Sequence, residues 1–247
     1  MPRILVDLSH NERYSQIPSG IFDLNFTFEF LYPGMQFPEL PILRDYDLII
    51  MGEIIPAQNG MDHLFLSVEI ELLKSYVKQG GKLLLTTSSG GDQDYKGQDE
   101  DIEDYRSFRA LNPITGVKRY WWGEVFHPSK YMEYMGPEDL MFTEFSSHPI
   151  FNGISQILLS DNTFLEPSTV FPSEVLLNTL PGTMFRYFVD DSEELIDEVP
   201  LIIYRKFGLG ASVVISSTLF MSTHEFFGST QLDNAKLLLN IVNWLLD

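Results

Sequence analysis

Apolar residues in the first third of the chain fall in short, nearly unbroken blocks separated by turn-rich polar stretches. Arg3-Ile-Leu-Val-Asp-Leu8 and Tyr46-Asp-Leu-Ile-Ile-Met51 are too short for helices and too evenly apolar for strands with one wet face. They predict buried strands of a parallel sheet covered on both sides. Residues 27–32 alternate and predict another strand, with Pro33-Gly34, Pro38 and Pro41 marking the loop after it. Ser67 is expected as the N-cap of a helix that carries Glu69 and Glu71 near its positive end. Val68, Leu72, Leu73, Tyr76 and Val77 share one face of that helix, and Glu71, Lys74 and Lys78 the other. Gly80-Gly81 supplies the stop, and Lys82-Leu-Leu-Leu-Thr-Thr87 the next strand. Strand, helix and strand in this order predict a right-handed βαβ crossover.

The second half is less regular. Residues 92–104 hold seven Asp or Glu against Lys96 alone and are expected as a surface excursion. Residues 105–111 predict a short helix ending before Pro113 and Gly116, and residues 117–126, with Trp121-Trp122, a strand or hairpin. The runs 156–159, 174–180 and 184–189 predict β elements layered onto the parallel sheet, and a second acidic stretch, 190–198, separates them from a strand at 200–205. Phe207-Gly-Leu-Gly210 then makes a tight turn into a core strand at 211–216. After a loop, Leu237, Leu238, Ile241, Val242 and Leu245 form the apolar stripe of a final helix. Without a linker, repeat or low-complexity segment, residues 1–247 are expected to form one α/β domain.

Composition narrows the function. A hydrophobic fraction of 44% with 13% aromatics suits a packed globule. No apolar run approaches the roughly eighteen residues that cross a bilayer, so no membrane insertion is expected. The first residues read as a strand rather than a leader, which makes a cytoplasmic location the expectation. The net charge of −19 repels phosphate backbones, and the densest basic stretch is Lys118-Arg119, so nucleic acid is not expected as a partner. The chain has no cysteine. Disulfides, thiolate metal sites and cysteine nucleophiles are thereby excluded.

The phrases YDLIIMGE, SVEIELLKSYVKQGGKLLLTT, SSHPIFNGI and GLGASVVISSTLF, with DNAKLLLNIVNWLL at the end, carry a resemblance. Together they resemble the class I glutamine amidotransferase-like domains. The nearest group is that of gliding-motility transporter auxiliary proteins and the N-terminal domain of the 52-kilodalton intraflagellar-transport subunit. The resemblance implies a flavodoxin-like three-layer sandwich with a mainly parallel sheet, extra β elements in the second half, and no established catalysis. In true glutaminases a cysteine sits on the sharp turn after a central strand. Here the equivalent turn, Thr87-Ser88-Ser89-Gly90-Gly91, carries serines, which rules out the thioester route.

In an open parallel sheet ligands bind beyond the carboxyl ends of the strands. The loops expected there carry His10, Asn11, Glu53, Ser88, Ser89, Asp92, Ser217 and His224. Hydroxyls, imidazole, amide and carboxylates in one place suit a polar ligand such as a sugar; the same residues also serve as loop caps bonded to local backbone. A serine hydrolase would take Ser88 or Ser89 as nucleophile, His10 or His224 as base, and Asp92 or Glu53 as the orienting acid. It lacks a Gly-x-Ser-x-Gly elbow, because the glycine pair follows the serines. His10, His63, His127, His148 and His224 share no short zinc-type spacing, and residues 92–104 lack the calcium-loop pattern, so no metal or cofactor is expected. His148, before Pro149, is expected as a cap. Of Trp121 and Trp122, neighbours on a strand, at most one can serve a surface. Gly208-Leu-Gly210 precedes a strand and is no dinucleotide loop. These residues suit a non-catalytic domain for a protein partner or a polar small molecule, carbohydrate included, with a serine hydrolase as the alternative.

Overall fold

The computed structural model describes residues 1–10, 12–13, 26–54, 65–89, 108–129, 136–188, 190–222 and 228–247. Its centre is a sheet of seven strands: β1 (Arg3–Asp7), β2 (Thr27–Leu31), β3 (Leu48–Met51), β4 (Lys82–Thr86), β5 (Glu174–Asn178), β6 (Pro200–Phe207) and β7 (Gly210–Ile215). Their order across the sheet is β5-β6-β7-β4-β3-β1-β2. Strands β2, β1, β3, β4 and β7 run parallel to one another. β6 lies antiparallel to β7, and β5 antiparallel to β6. The five parallel strands thus follow the 2-1-3-4-5 order of a flavodoxin-like sheet, with an antiparallel pair added at one edge.

Period-two alternation splits the sheet residues between two apolar layers. Ile4, Val6, Leu48, Ile50 and Leu84 face the terminal helix α2 (Asn234–Leu246), whose Leu237, Leu238, Ile241, Val242 and Leu245 are all buried as the stripe predicts. Leu5, Ile49, Met51, Leu83 and Leu85 face helix α1 (Ser67–Lys78). The three-layer α/β sandwich is therefore present. Helix α1 is rotated from its predicted face. Ile70, Leu73, Tyr76 and Val77 are buried, whereas Val68 is 60% exposed. Leu66, not Ser67, is the N-cap, and Glu69 Oε2 accepts its backbone N–H at 2.7 Å. That carboxylate satisfies the N–H of the capping residue itself, the half of a capping box that the third helical position supplies.

The second half pairs differently from its local pattern. Val117–Tyr120 and Gly123–Phe126 do not form a hairpin with each other. The first pairs with Leu165–Pro167, the second with Met184–Tyr187, which also pairs with Glu193–Leu195. The acidic stretch 190–198 thus contains a strand, joined by Arg186 to Glu193 at 3.1 Å. Leu140–Phe142 pairs with Ile157–Leu159. The helix expected to end before Pro113 instead continues from a 3-10 turn, Phe108–Leu111, into Asn112–Thr115. Proline sits in its first turn, where the missing N–H costs nothing. On the outer edge, β5 slips register twice, between Val175 and Leu177 and between Leu177 and Asn178.

The β6–β7 hairpin packs directly on the end of α1. A Cβ on Gly210 would lie 2.1 Å from the Gly81 carbonyl oxygen and 2.2 Å from that of Val77, so only glycine fits. Among the described residues, no helix is long and apolar enough to cross a membrane.

Candidate functional site

The carboxyl ends of β1, β3, β4 and β7 lie side by side: Asp7 pairs with Met51, Met51 with Leu85, and Thr86 with Ile215. Between β1 and β3 the strand order reverses, which is where such sheets open a crevice. His10 stands at this point, 4% exposed, between the rings of Phe37 and Phe65. Its Nδ1 lies 2.8 Å from Asp7 Oδ2 and its Nε2 3.3 Å from Glu69 Oε2. Asp7 is fully buried, and its other oxygen accepts the Ser9 N–H at 2.9 Å and the Ser9 hydroxyl at 2.6 Å. An imidazolium satisfies both carboxylates at once, because ionised carboxylates only accept. Glu69 also caps α1, so this cluster ties the loop after β1 to the start of the helix.

A second cluster follows β4. Ser88 and Ser89 are buried. The Ser89 hydroxyl donates to the Asp161 carboxylate, its N–H to the Asp161 carbonyl at 3.0 Å, and its own carbonyl accepts from Gly123 N–H at 3.0 Å. Asp161 holds φ at +55°, a left-handed turn that aims it at Ser89. Thr87 N–H donates to the Ile215 carbonyl at 2.9 Å. Ser217 donates to the Ser160 carbonyl at 2.6 Å, and the Thr218 hydroxyl lies within hydrogen-bond distance, 3.1 Å, of both the Thr86 hydroxyl and the Thr87 carbonyl. Nearby, burial holds the Asp139 and Glu124 carboxyls above the usual carboxylate range, with the Glu138 charge acting in the same direction on both. Arg186, 3.3 Å from Glu124, opposes the shift there.

His10, Ser88, Ser89 and Ser217 therefore share one edge of the sheet, but His10 and Ser89 bond to separate carboxylates. Glu53 lies in a two-residue strand, Glu53–Ile54, paired with Glu12–Arg13. Asn11, Asp92 and His224 lie outside the described residues, as does His63. The carboxylate partners Asp7, Glu69 and Asp161 were not among the residues singled out by sequence. For Asp7 and Glu69 a signal existed, an acid three residues before His10 and an acid in the first turn of a helix. Asp161 had none.

Known structures share this architecture. The mmIFT52 N-terminal domain superposes with a TM-score of 0.68 at 16% identity, over 98% of this chain and 96% of that one. The shared fold is the mostly parallel α/β sandwich of flavodoxin-like type. A cytoplasmic protein of Salmonella typhimurium (TM-score 0.57, 14% identity) matches 99% of this chain and 99% of its own. A protein of Bacteroides uniformis named as ThuA-like (TM-score 0.56, 14% identity) matches 99% of this chain and 91% of its own. At these identities the likeness is one of fold. No known protein family and no curated protein matches the sequence.

On this fold the turn after β4 carries serines, and two of its amides are occupied. Thr87 N–H and Ser89 N–H both donate to carbonyls, which removes two candidate donors for an oxyanion. The remaining described histidines are caps. His127 Nε2–H donates to the Pro181 carbonyl at 3.0 Å while Nδ1 accepts from Ser129 N–H at 3.1 Å. His148 caps the 3-10 turn Pro149–Phe151, accepting from Ile150 N–H, and abuts Trp244. Among the described residues no group of three or more His, Asp or Glu is placed to hold a metal. Trp121 stacks on Phe164, whereas Trp122 meets Phe188 edge-on near the surface.

Proposed function

We propose that residues 1–247 act as a single non-catalytic domain that binds a protein partner or a polar ligand, carbohydrate included, in the cytoplasm and within a larger assembly. The observation that carries this reading is that the described polar groups of the carboxyl edge are bonded within the protein. The Ser89 hydroxyl is engaged by Asp161 rather than by an imidazole, and the Thr87 and Ser89 amides already donate to carbonyls. His10 is held between two carboxylates. Acyl transfer needs a nucleophile beside its base and free donors where negative charge develops. The likeness to the mmIFT52 N-terminal domain supports a scaffolding role, and the likeness to a bacterial protein described as cytoplasmic supports the location.

Incubating the pure protein with a panel of ester and amide substrates tests the non-catalytic part. The expected result is turnover no faster than buffer. Hydrolysis that disappears in Ser88→Ala or Ser89→Ala would overturn the reading in favour of a serine hydrolase.

A further inference from the structure

The opposite edge of the sheet holds a cavity of about 360 Å³ at the amino ends of β1, β3 and β4. Arg44, Asp47, Tyr76, Gln79, Gly81 and Lys82 are among the residues that line it. The chain is acidic by 35 residues to 16, and several cations are ion-paired: Arg3 with Glu29 at 2.6 Å, Lys74 with Glu71 at 2.7 Å, Lys118 with Glu166 at 2.6 Å. Among the described residues Arg44 and Lys82 form no ion pair, although both line one hollow. Arg44 is oriented by a hydrogen bond from Nη2 to the Gln79 side chain, a neutral partner that does not cancel its charge. The wall is built from fixed parts. The Lys82 N–H donates to the Asp47 carbonyl at 3.3 Å, and Tyr76, buried, donates its hydroxyl to the Tyr46 carbonyl at 3.1 Å. Asp47 Oδ2 is anchored by the Arg3 N–H at 2.8 Å.

We propose that this cavity binds a small hydroxylated anion of the sugar-phosphate class, its phosphate between Arg44 and Lys82 and its hydroxyls on the Asp47 carboxylate. A guanidinium offers a planar fork of donors and an ammonium a point charge, a pair that suits a phosphate's several oxygens. A carboxylate repels the anionic end but accepts from hydroxyls, so it orients the ligand. The volume falls in the range of small-molecule pockets and exceeds what a bare phosphate fills. The cations act locally against a strongly negative protein, so binding is confined to the place where they meet.

Isothermal titration at low ionic strength with glucose 6-phosphate, inorganic phosphate and glucose tests this site. Saturable binding of the sugar phosphate is expected, with inorganic phosphate weaker and glucose silent. Arg44→Gln with Lys82→Gln is expected to weaken the sugar phosphate at least about tenfold, whereas Lys118→Gln, a distant exposed charge, leaves it unchanged. Equal affinity in the folded double variant would overturn the site. So would silence from both phosphates at millimolar concentration. If the double variant does not fold, amide chemical-shift changes in the wild type decide: movement at residues 79–82 upholds the site, and movement confined elsewhere overturns it.

Discussion

At the carboxyl ends of the parallel strands, polar side chains turn inward and bond to each other. At the amino ends, Arg44 and Lys82 are left without carboxylate partners in an open hollow. The two edges use similar residues under different burial. Asp7 is fully buried and holds His10 and Ser9, while Asp47 is exposed and receives one backbone N–H. A buried acid that holds several groups is structural, because removing it leaves its buried partner short of an acceptor where solvent does not reach. A half-solvated edge keeps its charges available to something that arrives later. Chemistry suited to a ligand thus need not lie at the end of the sheet where topology first directs the search.

The sharpest way to break this contrast is to remove one acid from each edge. Asp7→Ala is expected to cost about 3 kcal/mol, since it takes from the buried His10 its nearer carboxylate and from the half-buried Ser9 its acceptor. Asp47→Ala is expected to cost less than about 1 kcal/mol. Urea unfolding measures both, and equal losses would mean that the two edges are not different in kind. Of intermediate size, Ser89→Ala is expected to lose about 1 kcal/mol by taking one donor from Asp161. A neutral or stabilising result would show that the second cluster is held by its backbone bonds alone.

The smallest effect concerns pH. Burial raises the Glu124 and Asp139 carboxyls in the folded protein, so the native state takes up protons more readily than the unfolded chain. Their contribution is complete below the ordinary carboxylate range and declines as pH rises through the raised values. Glu124→Gln removes one of these groups and is expected to flatten the fall of Tm between acid and neutral pH by about 2 °C. An unaltered slope would place the origin of the pH dependence elsewhere.

The sequence made the parallel half of the fold legible because its signals are local. The stripe Leu237 to Leu245 and the blocks at β1, β3 and β4 each carry their period within a dozen residues. Where the reading slipped, the deciding partner was distant. Val68 and Ile70 compete for the inner face of α1, and packing against the sheet, not the helix period, chose Ile70. The strands at 117–120 and 123–126 look like a hairpin from within, yet their partners lie at 165–167 and 184–187. The candidate site divides the same way. His10, Ser88, Ser89 and Ser217 could be placed on the carboxyl edge from strand order, but the bond from Ser89 to Asp161 spans 72 residues and depends on a positive φ that no motif announced.

The double slip of register in β5 bears on how the protein behaves at high concentration. An outer strand with regular spacing is a template onto which a second molecule can zip. Here Leu176 is an extra residue in β5 between Val175 and Leu177, so an incoming strand would meet a bulge at that place. The sheet ends at that border by geometry, without needing a flanking helix to cover it.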